Sequence, residues 1–98
     1  MLPLEAEDAA QILAAKIRTA RIVRAWTQEE LAQRCDLSAR TVYSIESGSV
    51  TVQLGFVLRA LWALDLIDDF IQQIKDCGHN DREFALLEAT LPKRVRNR

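Results

Sequence analysis

Two groups of residues carry side chains that could do chemistry. Cys77 and His79 stand two residues apart, and three carboxylates cluster nearby at Asp65, Asp68 and Asp69. A structural zinc site needs four ligands, and one Cys with one His and no second pair falls short. The carboxylates have no nucleophile, oxyanion donor or cofactor loop beside them in the sequence. The sequence therefore predicts no metal site, no cofactor and no enzyme activity, and 77–80 is expected to be a polar turn.

The basic residues suggest a different kind of chemistry, because they are unevenly placed. The formal net charge is −1. Residues 16–49 carry six basic against four acidic side chains, residues 65–83 carry six acidic against two basic ones, and residues 92–98 hold four bases. A basic face beside an acidic body is compatible with one DNA-binding surface. The basic tail could neutralise phosphate or simply keep the chain in solution, and the sequence leaves both open.

The composition bounds the elements that must position these residues. A chain of 98 residues, 49% hydrophobic with three Gly and two Pro, is expected to be all-α. We expect one domain over residues 1–91, with its core at 10–76, followed by the tail at 92–98. Two cysteines, an acidic start and no apolar run of bilayer length predict a cytoplasmic protein with no membrane contact.

The periodicity and capping signals predict five to six helices, over about 7–24, 28–35, 39–47, 53–64, 66–76 and 81–91. Thr27 and Glu30 form a capping-box pattern before the second helix, and Ser38 is an N-cap for the third. Gly48 is expected to end the third helix in a left-handed conformation. Inward-facing apolar residues are predicted on the first helix at Ile12, Leu13, Ile17 and Ala20, on the second at Leu31, Ala32 and Cys35, on the third at Val42 and Ile45, and on the fourth at Leu54, Val57, Leu58 and Leu61.

Two short helices joined by a short turn have the geometry of a helix-turn-helix. The matching segments are Arg18-x-x-Arg21, Thr27-Gln28-Glu29-Glu30-Leu31-Ala32, Leu37-Ser38, Thr41-Val42 and Ile45-Glu46-x-Gly48. Taken together they resemble the Xre and phage-repressor family, with its compact lambda-repressor-like fold, over about residues 13–66. The chain departs from the family pattern at the turn, where Asp36 replaces the usual Gly, and at Ala25-Trp26. Asp36 is expected to adopt a left-handed or bridging conformation.

The resemblance implies roles for individual residues. Thr27 and Gln28 would contact backbone phosphate, and the third helix would face the major groove. Its DNA-binding side chains would be Ser38, Ala39, Arg40, Tyr43 and Ser44. Arg40 alone of these can form a bidentate bond to guanine, so it is the expected specificity residue. Arg21 and Glu46 match a family ion pair that joins the first helix to the third.

Three interpretations of function follow. The first is a homodimeric transcriptional repressor that binds an inverted repeat in double-stranded DNA, with Trp62, Leu66 and Phe70 at the dimer contact. Those three residues could equally cover the domain's own core. The second is an antitoxin similar to the HipB-like proteins, which binds a kinase-like toxin protein and represses their shared operon. The third is a helix-turn-helix used only for protein interaction, which would be favoured if Lys16, Arg40 and Arg59 did not share one face.

Overall fold

Six α-helices and no β-strand make up the part of the chain that the structure, a computed structural model, describes, residues 1–91. The helices are α1 (Leu4–Val23), α2 (Gln28–Cys35), α3 (Ala39–Glu46), α4 (Leu54–Ala63), α5 (Ile67–Asp76) and α6 (Arg82–Thr90). The prediction of an all-α fold is confirmed, and five of the six helices begin within one residue of the predicted start. The first helix begins three residues earlier than predicted. The predicted basic tail, residues 92–98, lies outside the described residues.

Local hydrogen bonds define the starts of both helices of the helix-turn-helix, as predicted. The hydroxyl of Thr27 accepts a bond from the Glu30 N–H at 3.0 Å, and the Glu30 carboxylate accepts one from the Thr27 N–H at 2.7 Å. The Ser38 hydroxyl accepts a bond from the Thr41 N–H at 3.1 Å. Asp36 ends α2 in the left-handed conformation, with φ 57° and ψ 47°. These bonds span three residues, so the sequence alone can specify them.

The core of the first compact unit, residues 1–68, lies where α1 to α4 meet. Helix α2 packs on α3 and α4, while α3 also packs on α1 and α4. Short α2 and α3 are therefore stabilised mainly by burying one face, since eight-residue helices are marginal alone. The buried apolar residues are Ala14, Ile17, Ala20, Leu31, Ala32, Cys35, Val42, Ile45, Ala60, Leu61 and Leu64.

Two residues predicted to face inward are exposed instead. Ile12 is 69% exposed and Leu54 is 67% exposed. Helix α1 buries the line that begins at Ala14, and Ile12 stands two residues before it, about 160° away around the helix. Leu54 does share a helix face with Leu61, but it lies in the first turn of α4, where no neighbouring side chain covers it.

The turn between α1 and α2 contains a strained residue. Ala25 has φ 58°, a left-handed conformation that costs free energy for any residue with a Cβ. Trp26 follows, and the Arg34 guanidinium lies 4.0 Å from the centre of its ring. Arg24 donates to the Leu64 carbonyl at 2.6 Å, at the C-terminus of α4. This corner thus joins both helices that flank it to the end of α4.

The second compact unit begins at Asp69 and contains most of α5 together with α6. Gly78, with φ +80°, lies in the turn between these helices. A Cβ at this position would lie 2.6 Å from the Phe84 ring, so only glycine fits. All residues from 71 to 91 are exposed. The described residues of this unit, 69–91, therefore form no buried core of their own, and a single domain over 1–91 stays a prediction.

Candidate nucleic-acid interface

Helix α3 has one buried face and one exposed face. Val42 is 0% exposed and Ile45 is 5% exposed, so these side chains hold the helix on the core. Tyr43 is 62% exposed, and Arg40 is exposed in the first turn of the helix. The side of α3 that is not needed for packing therefore exposes Arg40 and Tyr43, which are two of the four residues predicted to face the major groove.

An open depression of about 290 Å³ lies beside this exposed face. Its lining is mostly polar and comes from α3, from the following loop and from the start of α4. The lining residues are Arg40, Thr41, Ser44, Ser49, Thr51, Val52, Gln53 and Phe56. The sequence prediction included Arg40 and Ser44 but missed Ser49, Thr51 and Gln53. For Ser49 and Thr51 the available signal was the small hydroxyl residues soon after the third helix, whereas Gln53 had no such signal.

The N-terminus of α4 borders the same depression. Its N-cap residue is Gln53, and the Gln53 side chain makes no capping hydrogen bond. The first backbone N–H groups of a helix have no partner within the helix, and they carry the positive end of the helix dipole. Such a helix start suits a phosphate oxygen, as does the arginine across the depression.

The Arg21–Glu46 ion pair lies behind this surface and joins α1 to α3, as the sequence predicted. Arg21 Nε donates to Glu46 Oε2 at 2.6 Å, and Nη2 donates to Oε1 at 2.9 Å. The Glu46 side chain is 3% exposed and the Arg21 side chain is 13% exposed. The bonds with Glu46 raise the pKa of Arg21 above its ordinary value, so the guanidinium stays charged. The Arg21 Nη1 group also donates to the Trp26 carbonyl at 2.8 Å.

The Gln28 side chain belongs to the same hydrogen-bond network around Glu46. Its Nε2 donates to Glu46 Oε1 at 3.1 Å, so the side chain predicted to contact phosphate also bonds within the protein. Arg18 donates to the Glu46 backbone carbonyl at 3.2 Å. One buried carboxylate at the end of α3 is thus bonded from both α1 and α2. The amide of Gln28 carries two N–H donors, and the bond to Glu46 uses one of them.

Of the remaining predicted residues, two cap helices and two lie half-buried on α3. The hydroxyls of Thr27 and Ser38 accept the N-cap bonds of α2 and α3, and Ser38 shares a further bond of 2.9 Å with the Thr41 hydroxyl. Ala39 and Ser44 are half-buried on α3. The structure therefore places Thr27 and Gln28 at the start of α2, and Ser38, Ala39, Arg40, Tyr43 and Ser44 at the cap and along the length of α3. Their joint contact with DNA stays a prediction.

Three further features of residues 1–91 concern metal binding, the buried cysteine and membrane crossing. No group of three or more His, Cys, Asp or Glu side chains there could hold a metal ion. Cys35 is buried, as predicted, and burial raises the pKa of its thiol. None of the described helices is long and apolar enough to cross a bilayer.

The fold and the exposed face of α3 define a helix-turn-helix protein. A family model described as a helix-turn-helix domain matches residues 12–69, and the chain belongs to this family. The match includes α2, α3 and α4 and most of α1, and it is consistent with the Xre-like resemblance. Membership indicates DNA binding and a role in transcription regulation. No curated protein and no solved structure matches the chain.

Proposed function

We propose that this protein is a sequence-specific transcriptional repressor that acts in the cytoplasm by placing α3 in the major groove of DNA. The observation that carries the proposal is the two-sided character of α3. Its buried face fixes the helix on the core, while Arg40 and Tyr43 project outward. The major groove is wide enough to admit one α-helix, and base edges there carry a donor and acceptor code.

Arg40 is the residue proposed to recognise a base. Its guanidinium can donate two parallel bonds to O6 and N7 of guanine. Ala39, Tyr43 and Ser44 would lie against neighbouring base edges. Thr27, Gln28 and Ser38 would lie near the sugar-phosphate backbone, and the loop residues that line the depression would contact phosphate on the other side of α3. Phosphate contacts fix the register without reading sequence.

Selection of bound sequences from random DNA by the purified protein tests the proposal first. Affinities of Arg40→Ala are then measured on the best site and on its single-base variants, at one salt concentration. We expect Arg40→Ala to lose about 1–3 kcal/mol of binding free energy. The loss should come from one base pair of each half-site, so the variant should no longer distinguish bases at that position. Arg82→Ala removes an equal charge from α6 and is the control, with no change expected. Equal weakening on every variant would show that Arg40 does not read a base.

The repressor is further proposed to be a homodimer on an inverted repeat. One eight-residue recognition helix contacts few base pairs, and symmetric pairing of two helices doubles the site. Trp62 is 65% exposed on α4, which leaves it available to a partner, whereas Leu66 and Phe70 are half-buried. Light scattering at micromolar concentration should report a dimer. A monomer both free and on DNA would exclude the inverted-repeat arrangement.

The HipB-like antitoxin is the second candidate function. The acidic stretch at 65–83 favours it, because acidic side chains suit a basic protein partner. The exposed Trp62 adds an apolar contact surface. A gene for a kinase-like toxin beside this one, and a stable complex of the two purified proteins, would support it. Use of the domain for protein interaction alone would require that the selection experiment recover no DNA sequence.

A further inference from the structure

The first two turns of α1 lie against the loop that follows α3. A hydrogen bond of 3.3 Å from Gln11 Nε2 to the Ser47 carbonyl joins α1 to the end of α3. The approach is close, because a Cβ at Gly48 would overlap the Gln11 amide. These two turns, residues 4–11, precede the segment 12–69 that the family model matches, so the family match does not account for this contact.

An acidic depression lies at this contact. We use that name for a space of about 530 Å³ between α1 and the loop. Glu7, Asp8 and Gln11 line it from the helix, and residues 48–51 line it from the loop. Both carboxylates are exposed, and no ion pair among residues 1–91 includes either of them. Within that part of the chain, two negative charges therefore lie beside the loop without a paired basic side chain.

The same loop also borders the depression beside α3. Ser49 and Thr51 line both spaces. Their hydroxyl oxygens lie 3.0 Å apart, and the Thr51 N–H donates to the Ser49 hydroxyl at 3.3 Å, which fixes the two side chains relative to each other. One side of the loop thus belongs to the surface proposed to contact phosphate, while its other side faces the two carboxylates.

We propose that Glu7 and Asp8 lower the affinity of this protein for the DNA backbone, by repelling the phosphates that lie against Ser49 and Thr51. A space of the volume of the acidic depression is about 10 Å wide, which is close to the Debye length at 0.1 M salt. Exposed charges still repel one another over that distance. The inference rests on the proposed function, because it requires the loop to lie at the backbone.

The repulsion does not depend on the DNA sequence, since every duplex carries the same phosphates. Phosphate contacts supply essentially all of the non-specific affinity of a DNA-binding protein and a large share of the specific affinity. Both kinds of binding should therefore weaken by the same factor. Under this proposal Arg40 sets the preference for one site over another, whereas Glu7 and Asp8 set the absolute affinity for any site.

Fluorescence anisotropy of the full chain tests the proposal with two duplexes, one that carries the selected site and one of random sequence. Glu7→Gln/Asp8→Asn removes both charges and keeps the side-chain shapes. At about 0.05 M salt it should bind each duplex about threefold to tenfold more tightly than the wild type, with an unchanged ratio between the two duplexes. At about 0.5 M salt the gain should fall below about twofold, because the Debye length is then roughly a third as long.

Glu83→Gln/Glu88→Gln is the matched control, because it makes the same change of net charge on α6. Its affinity should stay within about twofold of the wild type at both salt concentrations. Circular dichroism should show wild-type helix content for both double variants, since all four side chains are exposed.

Glu7 has a second effect that the salt series separates from the proposed one. It lies in the first turn of α1, where a carboxylate also interacts favourably with the helix dipole. Loss of that interaction alone would lower the stability of α1. It would not produce a gain in DNA affinity that disappears at high salt.

Three results would overturn the inference. These are no gain for Glu7→Gln/Asp8→Asn at about 0.05 M salt, an equal gain for the control, or a gain that persists at about 0.5 M salt. Each of them would leave the proposed repressor standing if the wild type still preferred the selected duplex to the random one. No DNA binding by either the wild type or the double variant at low salt would instead refute both proposals.

Discussion

The guanidinium of Arg21 and the carboxylate of Glu46 form a two-bond ion pair, at 2.6 and 2.9 Å, that joins α1 to the end of the recognition helix. Glu46 is the buried charged residue of the core in the described part of the chain. A buried charge whose partner is removed is left uncompensated, which destabilises a protein far more than the intact pair stabilises it. The pair therefore fixes the position of α3 on α1.

Removal of Arg21 alone should be costly. We expect Arg21→Met to lower the free energy of unfolding by about 3–5 kcal/mol, because the buried Glu46 carboxylate loses its partner. Arg21→Met/Glu46→Leu should recover much of that loss. Denaturant unfolding measures both. DNA binding should weaken only in proportion to instability, and lost binding with an unchanged melting temperature would show instead that Arg21 contacts DNA.

Gln28 should contribute to stability as well as to DNA contact. Gln28→Ala removes the bond from Nε2 to the Glu46 carboxylate, and a bond to a charged group contributes about 1.5–3 kcal/mol. The free energy of unfolding should fall by that amount. Under conditions where the variant stays folded, its DNA affinity should fall equally on all sequences. A stable variant with sequence-dependent losses would contradict both roles.

Ala25 offers a stabilising substitution. Ala25→Gly relieves a left-handed φ that costs about 1–2 kcal/mol, although glycine adds about 0.5–1 kcal/mol of unfolded-state entropy. We expect a net gain of about 0.5–1 kcal/mol in thermal unfolding. Ala9→Gly is the control, since Ala9 is equally exposed but lies within α1, where glycine should destabilise. A loss at both positions would mean that Ala25 is unstrained.

The two cysteines should differ in reactivity. Cys77 is exposed, whereas Cys35 is buried and burial raises the pKa of its thiol. At pH 8 a thiol reagent should label Cys77 at least about tenfold faster than Cys35, because labelling of Cys35 requires opening of the core. Single Cys→Ser variants assign each rate, and equal rates would show that the core around Cys35 opens readily.

The same burial predicts a pH dependence. The folded-state pKa of Cys35 is raised, so its contribution to stability is present below its ordinary value near 9.0 and is lost as the pH rises through the folded value. The free energy of unfolding should therefore fall more steeply above about pH 9 in the wild type than in Cys35→Ala. Equal slopes of the free energy of unfolding against pH, above about pH 9, for the wild type and Cys35→Ala would contradict this prediction.

Apart from the start of α1, the positions of the helices were determined by the sequence to within about one residue. The capping box at Thr27 and Glu30, the Ser38 cap and the left-handed Asp36 all appear as predicted. Each depends on bonds between residues three or four apart, so the side chains that decide them are neighbours in the chain. The Arg21–Glu46 pair was also predicted, but through the family resemblance and not through any local signal.

Burial and side-chain partnership were decided by the tertiary structure. Ile12 and Leu54 fit the apolar periodicity but are exposed, because burial depends on which helix faces are covered by other helices. Gln28 bonds to Glu46, eighteen residues away, and Ser49 and Thr51 join Arg40 at one depression. Such contacts depend on the angles at which helices cross, and those angles follow from packing across the whole core, which no local pattern encodes.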